Sequence, residues 1–356
     1  MTVRSILLVH EVFPPDFRGG GERIALRTAT ALMARGIAVE VLTTGDPAIT
    51  SIEGVPTRRM RIPRQAMALR IGAIARAARR HDLVHAFNYN AALPALAAAR
   101  IARRPVVCEM LGLFGDGWLR LKGPLGGRLH MMLERSILRA SYDRMIFLSE
   151  ASRQAGIAMG TSATRSLVIH PGIEDGGFPP AALREDFVLF AGRLDERKGF
   201  HHVVAAARAL PHIAFRACGW GPDTDALRAA APPNLVVEEG RSGDLYWRLL
   251  SQARIFLFPT YAETFGLVVA EAMAGGCAVV SSLDTIPFAG HRHAPGDEAA
   301  MIAAIARLWE DRAACTAAGL DNRHLAAAYS WDRHAARLTE LYAEMLPAGR
   351  ASPKEA

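Results

Sequence analysis

Lysine is nearly missing from this 356-residue chain: Lys122, Lys198 and Lys354 are its only three among 42 basic residues. Cysteine is scarce too. Cys108, Cys218, Cys277 and Cys315 lie far apart with no C-x-x-C pair, which argues against a disulfide framework or a zinc fold and points to a reducing cytoplasm. No apolar run approaches the span of a bilayer. The start, MTVRSILLVHEVF, lacks a long apolar region and a small-residue cleavage site, so it reads as a first strand rather than a signal peptide. Only 22% of residues are charged and 51% are hydrophobic, a balance that excludes a disordered chain.

The length favours two domains, since a single core stops growing well short of it. The net charge of +7 is uneven: residues 1–180 carry +10 and residues 181–356 carry −3. Most of the excess lies between Glu53 and Asp82, where Arg58, Arg59, Arg61, Arg64, Arg70, Arg76, Arg79 and Arg80 occur without an acid. Such a segment is either an ordinary solvated face or one that meets an anionic membrane or a polyanion.

Short β-rich apolar runs alternate with helical periodicity. Ser5 to His10, then Glu22 to Arg35, then Ile37 to Thr43 give a β-α-β order, and strands are expected again at Leu83 to Ala86, Pro105 to Glu109, Met145 to Ser149 and Ser166 to His170. Leu129, Leu133, Ile137 and Leu138 supply helical spacing between two of them. The Gly- and Pro-rich stretch from His170 to Pro180 reads as a linker, and the tail after Leu346 as frayed. The rhythm restarts at Phe187 to Ala191, Ile213 to Cys218, Leu235 to Glu238, Ile255 to Pro259 and Ala278 to Ser281. The expected fold is α/β, two doubly wound Rossmann-like domains facing a cleft.

Ligands of parallel sheets sit beyond the carboxyl ends of the strands, so four post-strand segments carry the chemistry. Gly19-Gly20-Gly21-Glu22 follows the first strand; its contiguous glycines match neither G-x-G-x-x-G nor a P-loop, and they are either a flexible turn or an anion-binding one. In Gly192-Arg193-Leu194-Asp195-Glu196-Arg197-Lys198-Gly199, a guanidinium fork and an ammonium point charge can reach one diphosphate. Cys218-Gly219-Trp220-Gly221 is a glycine turn. The fourth segment runs from Glu263 to Glu271: a strand-end loop, the amides of Thr264, Phe265 and Gly266 at a helix start, and a second carboxylate one turn further on. Carboxylates there can accept from paired sugar or ribose hydroxyls. Each segment alone also reads as ordinary turns and caps.

Together, in order along nearly the whole chain, these residues resemble the retaining glycosyltransferases of family 4, which have the GT-B fold. Ser149-Glu150-Ala151-Ser152, Val168-Ile169-His170-Pro171-Gly172-Ile173-Glu174 and Tyr329-Ser330-Trp331-Asp332 add to the likeness, and Glu263 and Glu271 match the family's paired-glutamate signature. The resemblance implies an N-terminal acceptor domain over residues 1–172, a donor domain over 173–330, and a last helix of about 331–346 returning to the first. It implies transfer of a sugar from a nucleotide diphosphate to a hydroxyl of a glycan, glycolipid or lipid-linked acceptor, with retention of configuration. Gly20 and Gly21 would belong to the donor-phosphate loop, Arg193 and Lys198 would hold the diphosphate, Glu263 with the Thr264, Phe265 and Gly266 amides the donor sugar, and Glu271 the ribose. Gly219 and Arg241 would complete the nucleotide-sugar site, Arg241 toward the base. With two cations on the leaving group no metal and no cofactor are expected.

Two segments depart from the family pattern. Leu111 stands where a histidine is usual, so Glu109 or Asp116 approaches the donor sugar instead, or the leaving phosphate takes the acceptor proton unaided. Ser281 to His293 is shortened and rewritten; His291 and His293 lack a third ligand for a metal. The expectation is a cytoplasmic enzyme, peripheral to the inner face of the membrane, without a nucleic-acid partner. The alternatives are a catalytically idle nucleotide-sugar-binding homologue or partner subunit, and a polyanion binder that would leave the Arg193, Lys198, Glu263 and Glu271 constellation unexplained.

Overall fold

The computed structural model describes residues 3–16, 19–174, 184–222 and 224–346. The chain divides into two compact units, one reaching Gly172 and including the last helix from Trp331, the other running from Ile173 to Ser330. Phe17, Arg18, most of the glycine- and proline-rich linker and the tail after Leu346 fall outside the described residues.

In the first unit the order is β1 (Ser5–Val9), α1 (Gly20–Ala34), β2 (Ala38–Thr44), β3 (Ser51–Ile52), β4 (Val55–Met60), α2 (Ile71–Ala78), β5 (Leu83–Phe87), α3 (Ala92–Ala102), β6 (Val106–Met110), α4 (Gly117–Arg139), β7 (Arg144–Phe147), α5 (Glu150–Ala158) and β8 (Ser166–Val168). The sheet runs β3-β4-β2-β1-β5-β6-β7-β8, parallel throughout except for the β3–β4 pair. Helices cover both faces, so the central strands are apolar on both sides rather than alternating. Leu7 and Val9 of β1 pack with Ile74, Ala95 and Ile137, while Ile6 and Leu8 face Ala29 and Leu32 of α1 together with Leu338 and Tyr342. The last two belong to the final helix.

The second unit runs β9 (Val188–Arg193), α6 (Phe200–Ala209), β10 (Phe215–Trp220), α7 (Thr224–Ala230), β11 (Leu235–Glu239), α8 (Asp244–Gln252), β12 (Ile255–Phe258), α9 (Leu267–Ala274), β13 (Ala278–Ser281), β14 (Gly290–Arg292), α10 (Glu298–Glu310) and α11 (Arg312–Ala326), before α12 (Trp331–Met345) returns to the first unit. Its sheet is wholly parallel in the order β11-β10-β9-β12-β13-β14. Strand order reverses between β1 and β5 in one unit and between β9 and β12 in the other. Those reversals are where such sheets open a crevice for a ligand.

The arginine-rich segment does not form one basic face. Val55–Met60 is a strand whose residues alternate, so Arg58 points out to Glu40 at 2.6 Å while Arg59 is buried against Asp16 at 2.8 Å. Arg61 lies 3.3 Å from Asp46, Arg64 3.5 Å from Glu11 and Arg80 3.6 Å from Glu40. Four acids distant in sequence therefore lie against five of its eight arginines, Arg58 and Arg80 sharing Glu40. The helical stripe in α4 also splits: Ile137 and Leu138 are buried, but Leu129 is 66% exposed.

Candidate functional site

At the switch point of the second sheet, the loop after β9 is built by local chemistry. The Asp195 carboxylate accepts from Lys198 N at 3.1 Å and so closes a single 3-10 turn over Glu196–Lys198. Gly199 then turns the chain into α6 at φ 71°, and a Cβ there would run into the Pro259 carbonyl. The loop thus lies against the end of β12. Tyr261 N donates to Arg197 O at 2.9 Å, and Lys198 Nζ donates to Glu263 Oε1. Two side chains 65 residues apart in sequence meet here. His202 fixes the neighbouring Tyr261, with Nε2 2.7 Å from the phenol and Nδ1 2.6 Å from Glu298.

Burial is the main cause lowering the Lys198 pKa, to about 7, and the neighbouring charge of Arg197 adds to it. The Asp195 carboxylate acts the other way and favours the charged ammonium. Arg193 stands beside them at the edge, 3.0 Å from Asp195 through Nε and stacked over Trp220 at 5.6 Å. Gly240 packs on that same Trp220, which brings the Gly240-Arg241 loop to the rim, where Arg241 is bonded to Glu238. Gly219 lies so close to the Gly192 carbonyl that no Cβ fits, so its contribution is the close approach of β9 and β10.

Gly266, at φ 95°, is the N-cap of α9 and sets that helix start beside the Glu263 loop. Phe265 is buried edge-on against Tyr329 at 5.2 Å and anchors the loop; Thr264 lies half-buried between it and Glu263. Glu271, on the second turn of α9, is buried and accepts from the Tyr246 hydroxyl at 2.7 Å. Tyr246 is a partner that sequence reasoning passed over, because nothing local links α8 to α9.

In the first unit Gly20 and Gly21 open α1, and Gly19 N donates to Glu22 at 3.0 Å. A Cβ on Gly21 would sit 3.3 Å from Leu111, so the glycine loop and the position lacking the family's histidine are neighbours. His10, just after β1, was missed by motif: it is buried, its ring lies tilted against Phe87 at 5.2 Å, and burial lowers its pKa against the opposing pull of Glu22 and Glu11. Its position just after β1 is the signal that would have found it. Glu109 does not stand where a substrate could touch it. Its carboxylate is fully buried 3.0 Å from His85 Nε2, and His85 Nδ1 lies 2.6 Å from the Tyr342 hydroxyl, so the three side chains tie β5 and β6 to α12. Asp116 is exposed at the start of α4. His291 and His293 lie on and just after β14, hydrogen-bonded to Arg307 and to the Ala294 carbonyl.

The chain matches two family models, the glycosyl transferase 4-like domain over residues 19–172 and glycosyl transferases group 1 over residues 185–311. The chain belongs to the family 4 glycosyltransferases. This glycosyltransferase is 28% identical over 287 residues to the glycogen synthase of Mycobacterium tuberculosis, covering 74% of this chain and 69% of that one. Among solved structures, sucrose-phosphate synthase from Thermosynechococcus elongatus superposes with a TM-score of 0.80 at 20% identity, over 96% of this glycosyltransferase and 98% of that chain. Anabaena HepE in complex with UDP-glucose gives 0.77 at 19% identity, over 96% and 99%. These two share the GT-B fold with the glycosyltransferase.

Proposed function

We propose that this glycosyltransferase moves a sugar from a nucleotide diphosphate to a hydroxyl of a glycan or lipid-linked acceptor with retention of configuration. The observation that carries the reading is the Lys198–Glu263 contact at the β9/β12 switch point, with Arg193 at its edge and the α9 amides beside it. In the free enzyme the ammonium and carboxylate hold each other. An incoming diphosphate takes Lys198 and Arg193, and Glu263 is released to accept from the donor-sugar hydroxyls. Glu271, backed by Tyr246, accepts from the ribose, and Arg241 borders the base. HepE, a neighbour of the same fold, is described with UDP-glucose bound, which supports a donor of this class. The bond from the sugar to the diphosphate breaks as the acceptor oxygen bonds to the same carbon. The acceptor proton passes to the departing phosphate, because Leu111 offers no base and Glu109 is locked in the core. Two cations already meet the charge that develops on the leaving group, so transfer is expected to persist in excess EDTA. A rate lost to EDTA and regained with magnesium would remove that role from Arg193 and Lys198.

The acceptor reading is a lipid-linked one at an anionic membrane surface, and its support comes from α4 rather than from the arginines of β4 and α2. Gly123, at φ 70°, and Pro124 break α4, and beyond them Leu125 is 82% exposed and Leu129 and Met132 are 66% exposed on one stripe. Arg120, Lys122, Arg128, Arg135 and Arg139 surround that stripe, and the helix's one acid, Glu134, is buried. Apolar side chains framed by cations suit an interface with anionic lipid, and no helix among the described residues is long and apolar enough to cross a membrane. Co-sedimentation with vesicles containing phosphatidylglycerol is expected for the wild type at low salt and is expected to fall at least about tenfold in Leu125→Glu/Leu129→Glu. Equal sedimentation of the two proteins would contradict a role for α4.

A further inference from the structure

A second basic feature lies at the opposite end of the first sheet. At the amino ends of β1, β5 and β6, Arg4, Arg79, Arg80 and Arg104 line a cavity of about 290 Å³ together with Ser5, His81 and Asp82. Four guanidiniums face one carboxylate, and that carboxylate is already used: Asp82 Oδ2 accepts from Arg4 N at 2.9 Å and from Ser5 N at 3.0 Å, closing the start of β1. Arg80 and His81 lean toward Glu40 at 3.6 and 3.5 Å, but Glu40 also takes Arg58 at 2.6 Å. Arg104 donates one Nη to the Arg79 carbonyl at 2.8 Å, and its buried Nε has no partner. Among the described residues no acid pairs with Arg4, Arg79 or Arg104.

Like charges gathered in a concave site repel one another and focus a positive potential into it. The forks of three guanidiniums match phosphate oxygens, and the volume lies at the lower end of small-molecule sites. Substrates of parallel sheets bind at the carboxyl ends of the strands, so this site is not part of the transfer machinery. We propose that the cavity binds a phosphate monoester, carried either by a small soluble metabolite or by a lipid head group, through Arg4, Arg79 and Arg104.

Calorimetric titration with inorganic phosphate and with glycerol 3-phosphate at constant ionic strength tests this. Both probes are expected to bind the wild type and Lys198→Ala alike, and Arg104→Gln is expected to weaken each by roughly tenfold or more. Arg79→Gln, which changes an exposed side chain, is expected to do the same without affecting folding. A parallel assay with phosphatidic acid vesicles in the Leu125→Glu/Leu129→Glu background separates the sources. Dependence on Arg79 in the vesicle assay supports a head group, and dependence in calorimetry alone supports a soluble monoester. Failure of both probes to bind above chloride overturns the proposal. So does binding that Lys198→Ala abolishes and Arg79→Gln leaves intact.

Discussion

Lys198→Ala is expected to lower kcat/KM by about 10²- to 10³-fold and to remove most of the affinity for a nucleotide-sugar. The magnitude follows from removing the buried charge that is proposed to stabilise the leaving diphosphate, where few waters are present to replace it. Its pH dependence gives a second signature. Burial and Arg197 place the Lys198 ammonium near pH 7 in the free enzyme, so the charge is present below that pH and is lost above it. The diphosphate of a nucleotide-sugar keeps a constant charge over the same range. Affinity is therefore expected to be highest below pH 7 and to fall as pH rises through it, by at most about tenfold per unit. In Lys198→Ala the profile should be flat. A wild-type profile flat between pH 6 and 9 would show that this ammonium does not bind the donor.

The second large effect separates the two glutamates. Glu263 accepts from Lys198 in the structure, so on the proposed reading it competes with the diphosphate for that ammonium. Glu263→Gln is therefore expected to keep or improve nucleotide affinity while kcat falls by about 10²-fold, since a neutral amide no longer serves the transition-state charge at the sugar. Glu271 lies deeper and is held by the Tyr246 hydroxyl. Glu271→Gln is expected to weaken nucleoside binding by roughly tenfold, the order of one charge-assisted hydrogen bond, and to leave the pH profile unchanged. Titration of both variants with the same nucleotide, beside their kcat values, checks the division. Equal losses of affinity would mean that the two carboxylates act on one part of the donor.

Much of this was legible in the sequence because parallel sheets write themselves plainly. The runs at β1, β12 and β13 are apolar on both faces and bounded by turns, and their strands begin within a residue or two of where the pattern places them. The β4 strand was not legible, because its arginines mask a two-residue alternation that only the buried pairing of Arg59 with Asp16 explains. β14 escaped for a related reason: it is a three-residue edge strand held by Asn322, whose side chain donates to the Cys277 and Ala289 carbonyls at 2.8 Å from a distant helix. At the site, the motif residues could be named one by one, but the direct Lys198–Glu263 contact depends on how β9 and β12 neighbour each other. Glu109 shows the opposite case. A strand-end acid invited a catalytic role, and the buried His85 and Tyr342 that hold it come from β5 and from a helix more than 200 residues away. Glu134 was silent in the sequence for the same reason, although it gathers Tyr89, the Phe114 and Gly115 amides and Trp118 onto one buried carboxylate and so fixes the loop after β6.

The most direct measurement is calorimetric titration of the wild type, Lys198→Ala and Glu263→Gln with UDP, GDP and ADP sugars, with release of the nucleoside diphosphate followed in the same samples. At least one donor is expected to bind the wild type and Glu263→Gln, to yield its nucleoside diphosphate about 10²-fold faster with the wild type than with either variant, and to bind Lys198→Ala weakly. Binding of no donor by the wild type, or binding lost as fully in Glu263→Gln as in Lys198→Ala, would contradict the account.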